Sequence, residues 1–188
     1  MVETVPQPCQ IFGTVLRPFS LGHHLLFVRL GLPFADNPDA DCTVEQFLNA
    51  VAVCADDYEG TMESFLRNDW KENAGRWIAA VNRKKPDMKA ALAIFRKHLE
   101  DGYRMAPVWR HVGKNQIHFT APWEQQLKCR LVMAGFSLSE VLNGYMPSLW
   151  YDYFTVLELR LAETCESPAD WKSIFYTMSD ALTDEVPK

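Results

Sequence analysis

Two adjacent histidines, His23 and His24, are the residues of this chain that most directly suggest chemistry. Imidazoles titrate near neutral pH and bind metal ions, so such a pair could shuttle protons or hold a metal. Consecutive helical residues point about 100° apart, however, and a metal site needs about three or four converging ligands. We therefore predict structural roles for both. His23 is expected to pack beneath the segment that contains Phe19, and His24 is expected to face outward.

The remaining three histidines are candidates of a different kind. His98 ends a helical pattern, where a cation complements the helix dipole, and we expect it to serve as that cation. His111 and His118 lie in residues 103–119, a long connection with no helical or strand period. Long ordered connections are uncommon unless they have a function. A cysteine close to either imidazole would make a nucleophile and base pair, which leaves a small thiol or histidine enzyme as an alternative reading.

The five cysteines are odd in number, irregularly spaced and without a CxxC pair: Cys9, Cys42, Cys54, Cys129 and Cys165. This spacing argues against a disulfide framework and against a zinc ribbon. Cys54, Cys129 and Cys165 fall within helical patterns, where cysteine usually serves as a small core residue.

Acidic pairs and short motifs add no site. Asp56 and Asp57 end a helical pattern with no flanking motif, so we interpret them as solvated surface. The sequence contains no GxxxxGK[ST], GxGxxG, GxSxG or HExxH. We therefore predict a non-enzymatic protein with no catalytic residue, no metal ligand and no cofactor.

Composition limits the partners. The chain has 188 residues, 48% of them hydrophobic, which is enough for one domain over 1–188 with its own core. Its net charge is -5, and no run of five like charges occurs, so a nucleic-acid partner is disfavoured. No apolar window is long enough to span a membrane and the first residues do not resemble a leader, so we expect a cytoplasmic protein.

Apolar periodicity and capping residues predict an all-α fold of seven or eight helices. Prolines confine residues 1–19 to an extended arm with at most one strand. Ser20 caps the first helix, and capping boxes begin at Thr43 and Ser137. Gly75 is expected to mark a bend or a close approach, and Gly102 to end its helix. The helical patterns cover 20–30, 43–57, 61–85, 86–102, 120–135, 137–143, 147–166 and a terminal segment from 167.

Aromatic residues are numerous, with six Trp, six Tyr and eleven Phe. Many lie in the second half, too many for one narrow helical face. Exposed Trp and Tyr favour partner binding, because they supply contact area at low entropic cost. Small helical domains also fill their cores with aromatic rings. Both interpretations stay open at this point.

Several segments resemble a family. PFxLGHxLL over 18–26, followed by LxxPF over 30–34, resembles the N-terminal signature of small helical proteins encoded among phage and prophage tail genes. Residues 121–131 and 136–143 are similar to a second block of that family, and 150–163 resembles the helix that follows it. This chain continues beyond that helix through 167–188.

The resemblance implies a tail assembly chaperone-like protein in the cytoplasm of a bacterial host. Such a protein binds a long helical tape-measure chain and helps tail-tube subunits assemble around it, with a partner helix lying in an aromatic-lined groove. A virion structural adaptor is an alternative from the same gene setting. The residues that we predict to contact a protein partner are Phe19, His23, Trp109, Trp123, Trp150, Tyr151 and Trp171.

Overall fold

The described part of the chain contains eight α-helices, one 3₁₀ helix (Pro33–Ala35) and two small antiparallel ladders. In the computed structural model it covers residues 6–67, 69–104, 110–111, 121–161 and 165–166. The strands are β1 (Cys9–Ile11), β2 (Thr14–Leu16), β3 (Arg110–His111) and β4 (Cys165–Glu166). The helices are α1 (Leu21–Leu30), α2 (Val44–Cys54), α3 (Tyr58–Leu66), α4 (Trp70–Arg83), α5 (Met88–Tyr103), α6 (Trp123–Met133), α7 (Leu138–Asn143) and α8 (Met146–Leu161). The predicted all-α class is confirmed.

Three helices begin at the predicted capping residues. The side chains of Ser20, Thr43 and Ser137 each accept a hydrogen bond from the backbone N–H three residues later. In every case the side chain of that later residue bonds back to the N–H of the cap. In α1 this returning group is the imidazole of His23 rather than the usual Glu or Gln. Such caps are contained within four residues, which is why the sequence alone predicts them.

The N-terminal segment forms a hairpin rather than a single strand. β1 pairs with β2 through the turn Phe12–Gly13, whose φ angles are 54° and 83°. Phe is an uncommon residue at positive φ, so the turn carries no Asn-Gly type signal and sequence reasoning missed it. Ile11 and Leu16 are buried, and the hairpin therefore contributes to the core instead of extending as an arm.

The predicted helix over 61–85 is two helices, α3 and α4, and α3 starts before Thr61. Asp57, expected to be solvated surface, caps α3 by accepting a hydrogen bond from Gly60 N–H at 2.8 Å. Gly75 lies inside α4 with φ in the ordinary helical range, and a Cβ added there would meet no heavy atom within 4 Å. The expected close approach at Gly75 is therefore absent.

Gly102 lies in the last turn of α5 and does not end it, since the helix continues to Tyr103. A Cβ at this position would lie 2.7 Å from Cδ1 and 2.8 Å from Cγ of Phe19, and Phe19 Cβ would be closer still. The residue is glycine because the ring of Phe19 packs directly on the α5 backbone. Asp87, after the predicted first residue Pro86, caps the start of α5.

The pattern over 147–166 ends earlier than expected. α8 stops at Leu161, and β4 pairs with β3, which lies within the predicted long connection 103–119. Cys165 and Glu166 are therefore strand residues, because a partner distant in sequence offers them backbone hydrogen bonds. The rest of 105–120 and the predicted terminal helix from 167 lie outside the described residues.

Aromatic rings fill the core between α1, α2 and α5. Ring centroids are 5.5 Å apart for Phe19 and Phe27 and 5.4 Å apart for Phe34 and Phe95. All four rings are fully buried, and such burial stabilises the fold by about 1.5–3 kcal/mol per side chain. In the residues that the structure covers, no helix is both long and apolar enough to cross a membrane.

Candidate partner-binding groove

An open groove lies where the end of α1 and the start of α2 face α3 and α4. Its cavity volume is about 440 Å³, in the range of sites that accept apolar groups of a ligand. Apolar side chains form most of its wall, and the polar members are Glu45, Asn49 and Lys71. The apolar wall consists of Leu30, Leu32, Phe65, Trp70, Ala74 and Ile78. We call these residues, with Gly75, the α2–α4 groove.

The groove is open because the middle of α4 carries small residues. Ala74 and Gly75 stand between Trp70 on one side and Ile78 on the other. Trp70 is held in place by Phe65, since their ring centroids are 4.9 Å apart. Rigid aromatic walls beside a gap are typical of surfaces that receive a partner's side chain.

The groove also carries opposite charges. Glu45 in the first turn of α2 and Lys71 in the first turn of α4 are both exposed and line it. A partner segment with charges of both signs beside an apolar stripe would match this arrangement. Rim charges of this kind orient an encounter more than they strengthen it.

The predicted partner-contact residues do not line this groove. Phe19 and His23 are each only 1% exposed, so their side chains belong to the core. Trp150 is 8% exposed and Tyr151 is half-buried, whereas Trp123 is 37% exposed. Trp109 and Trp171 lie outside the described residues.

Two of the predicted residues do come together, on the far side of α1. Trp123 and Trp150 lie with ring centroids 5.5 Å apart, and the ring of His24 lies 4.7 Å from that of Trp123. The guanidinium of Arg130 lies 5.8 Å from the centre of the Tyr153 ring in the same region. Only Trp123 presents substantial surface there, so this cluster contributes mainly to packing between α6 and α8.

His23 has the structural role predicted for it. Its Nδ1 accepts a hydrogen bond from Ser20 N–H at 3.2 Å, and its Nε2–H therefore donates to the carbonyl oxygen of Asp56 at 2.8 Å. Burial lowers the pKa of His23 below its ordinary value. A neutral ring with both nitrogens engaged joins α1 to the end of α2 and is not available to a metal.

His24 is buried, contrary to the expectation that it faces outward. The Tyr103 hydroxyl donates to the Phe34 carbonyl oxygen at 3.2 Å and accepts a hydrogen bond from His24 Nδ1 at 2.9 Å. Burial lowers the pKa of His24 and raises that of Tyr103, so both groups stay neutral. The prediction failed because Tyr103, which covers this face of α1, is distant in sequence.

His98 is not the helix-end cation that its position suggests. Its ring stacks on Phe95, with centroids 6.2 Å apart, and meets the Phe19 ring edge-on at 6.4 Å. Burial lowers the pKa of His98 to about 4, so the ring is neutral near neutral pH. Its Nε2 is buried, and no hydrogen-bond partner for it occurs within the described part of the chain.

The cysteines give limited support to thiol chemistry. Burial raises the pKa of Cys9, Cys42 and Cys54, which disfavours the nucleophilic thiolate in each. Cys129 is exposed, whereas the sequence predicted it to be a core residue. The β3–β4 register pairs His111 with Cys165. His118 lies outside the described residues, and within those residues no three His, Cys, Asp or Glu side chains cluster in a way that could hold a metal ion.

Sequence reasoning missed the α2–α4 groove because its walls come from distant segments. Leu30, Phe65 and Ile78 belong to three different helices. One local signal was present. The spacing Trp70, Ala74, Ile78 places small and large apolar residues on one helical face, and a small residue within such a stripe indicates a gap.

Comparison with known proteins adds no relative. No protein-family model, no curated protein and no solved structure matches this chain.

Proposed function

We propose that this chain is a non-enzymatic assembly protein that binds a helical segment of a partner protein in the α2–α4 groove. The observation that carries the proposal is the groove itself: a cavity of about 440 Å³ with a mainly apolar wall, open at the surface between two helices. An amphipathic helix presents apolar side chains at positions i, i+3 or i+4, and i+7 along one face. Such a stripe would place its apolar groups against Leu30, Phe65 and Trp70.

The chemistry of the described residues supports binding more than catalysis. His23 is neutral with both ring nitrogens in structural hydrogen bonds, and His24 is neutral with its Nδ1 bonded to the Tyr103 hydroxyl. The polar side chains in the groove, Glu45, Asn49 and Lys71, include no nucleophile with an adjacent base. They suit orientation of a partner helix rather than proton transfer.

The partner class is proposed from the sequence resemblance. Segments over 18–34, 121–131 and 136–143 resemble tail assembly chaperone-like proteins of phage and prophage. On that basis we propose a tape-measure helix as the segment bound, with tail-tube subunits assembling around it. The host-cell cytoplasm would be the place of action.

The test is co-expression with a tape-measure segment from a neighbouring gene, followed by co-purification. Gly75→Leu is the informative variant, because a side chain there starts in open space and occupies the groove. Ala80→Leu is the matched control: the same side chain is added to an exposed position of α4 that does not line the groove. Both variants should fold, as judged by unchanged circular dichroism and an equal or higher melting temperature.

We expect the unmodified chain and the Ala80→Leu variant to co-purify with the segment, and Gly75→Leu to lose it. Equal capture by all three chains would place binding outside the groove. No capture by the unmodified chain, and no gain in solubility of the segment, would remove the proposed function.

A thiol or histidine enzyme is the second candidate, and one observation favours it: the pairing of His111 with Cys165 across the β3–β4 ladder. A catalytic pair would lower the pKa of that thiol. The rate of Cys165 alkylation should then stay high below neutral pH, in contrast to exposed Cys129. If both thiols lose reactivity together as pH falls, this candidate is excluded.

A virion structural adaptor is a further alternative, and it would be found in purified particles.

A further inference from the structure

A second cavity lies beside the α2–α4 groove, along the adjoining face of α4, with a volume of about 320 Å³. It is bounded by α4, by the end of α2, by α3 and by the residue Thr14 of β2. Unlike the α2–α4 groove, its wall combines two indole rings with three hydroxyl-bearing residues, and it also includes one amide and one carboxylate. We call this space the Trp70–Trp77 cavity.

The two indoles lie on one face of α4. Trp70, Ala74 and Trp77 follow the spacing i, i+4, i+7, and seven residues of helix place the two Trp Cα atoms about 10 Å apart along the axis. Ala74 stands between them and is too small to fill the intervening space. Helical spacing thus creates a slot with an indole at each end.

Both indoles are held by neighbours from other elements. Trp77 Nε1–H donates to Thr14 Oγ1 at 3.3 Å, and the ring of Phe12 lies 6.3 Å from that of Trp77. Phe65 stacks beside Trp70 at 4.9 Å. A site with fixed walls loses less conformational entropy when a ligand enters.

A buried hydroxyl in the wall lacks a partner. Thr61 is only 1% exposed, and its Oγ1 has no hydrogen-bond partner among the residues that the structure describes. Leaving a buried polar group unpaired is unfavourable, so such groups in native structures call for an explanation. The hydroxyl is out of contact with solvent, so a ligand in the cavity would not reach it without a movement of the wall.

The charge in the wall has one sign. Among the described residues that line the cavity, Asp56 is the charged one, and no Lys or Arg lines it. Asp56 Oδ1 accepts a hydrogen bond from Asp57 N–H at 2.9 Å. The nearby cation Arg17 pairs with Asp57 at 3.7 Å rather than with Asp56. The negative charge of Asp56 is therefore available to a ligand.

We propose that the Trp70–Trp77 cavity binds a small organic cation, with the ammonium group between the two indoles and Asp56 as its counter-charge. Cations are attracted to the faces of aromatic rings, Trp most strongly, and alkylated ammonium groups are recognised in this way. The site is separate from the proposed helix-binding function, although Trp70 and Ala74 line both spaces.

The test compares choline with 3,3-dimethylbutan-1-ol, which has the same shape and hydroxyl but no charge. Two-dimensional NMR of the full chain follows the indole N–H signals, with those of Trp70 and Trp77 assigned among the six tryptophans by single Trp→Phe variants. We expect choline to shift both signals in a saturable way. The neutral alcohol should bind at least about tenfold more weakly, because it lacks the cation–π and carboxylate interactions.

Asp56→Asn removes the counter-charge but keeps an oxygen that can accept from Asp57 N–H, and we expect it to weaken choline binding about tenfold. Glu63→Gln removes an exposed carboxylate of α3 outside the cavity and should leave binding unchanged. Equal binding of alcohol and choline would show an apolar site and overturn the proposal. Absence of any shift of the two indole signals with choline would overturn it as well. None of these outcomes depends on a protein partner.

Discussion

The two glycines Gly75 and Gly102 lead to a prediction in which one substitution has opposite effects. Both residues lie within helices, at φ angles that alanine also adopts. Alanine in a helix interior is favoured over glycine by up to about 1 kcal/mol, because glycine loses more backbone freedom on folding. On helix propensity alone, both Gly→Ala variants would be more stable than the unmodified chain.

The surroundings reverse the sign at Gly102. Its added Cβ would lie 2.7 Å from Cδ1 of Phe19. Phe19 cannot easily move, because its carbonyl oxygen accepts a hydrogen bond from Met146 N–H at 3.1 Å and its ring packs 4.8 Å from that of Tyr103. Overpacking of this kind costs about 1–3 kcal/mol. We therefore expect Gly102→Ala to lose about 1–2 kcal/mol in the free energy of unfolding.

Gly75→Ala is the matched control, since its Cβ meets no heavy atom within 4 Å. It should gain about 0.5–1 kcal/mol, so the two variants should differ in the free energy of unfolding by about 1.5–3 kcal/mol. Urea unfolding followed by circular dichroism measures this directly, as a change in midpoint at unchanged slope. A Gly102→Ala variant as stable as Gly75→Ala would refute the packing of Phe19 on α5.

Three further predictions concern buried polar groups. Burial lowers the pKa of His98 to about 4 from 6.5, so the unfolded chain binds a proton that the folded chain excludes. The free energy of unfolding should fall by up to about 3 kcal/mol as pH falls from 6.5 towards 4. In His98→Phe, urea titrations should show a smaller fall over the same pH range, and the same pH dependence in both proteins would contradict this role of His98. Tyr103→Phe should destabilise the fold by about 1–3 kcal/mol, because it leaves His24 Nδ1 without its acceptor, and a neutral effect on thermal unfolding would argue against that bond. Iodoacetamide should modify exposed Cys129 long before Cys54, whose thiol pKa is raised by burial, and mass spectrometry of the folded protein will show whether the order is reversed.

Helix starts were the most predictable part of the fold. Ser20, Thr43 and Ser137 cap helices in the structure as the sequence indicates, because each cap bonds to a backbone N–H three residues away. The predicted helix over 61–85 was wrong, since α3 begins after a cap at Asp57 and ends at Leu66, and α4 begins separately at Trp70. The apolar spacing alone did not reveal that break.

The candidate sites were far less predictable. The sequence selected aromatic residues by type, and two of them, Phe19 and Trp150, fill the core. The α2–α4 groove and the Trp70–Trp77 cavity arise where α4 passes over α2 and α3. The small side chain of Ala74 is a local sign of a gap, but the helices that form the other walls are set only by the tertiary structure.

By itself, the sequence determined the helical class and where capped helices begin, because both depend on interactions within about one or two turns of chain. Tertiary structure decided what each side chain faces. His24 is buried because Tyr103, 79 positions away, bonds to it. Gly75 is open and Gly102 is crowded because of residues contributed by other elements. Burial and close contact are set by distances between remote segments, which local patterns do not encode.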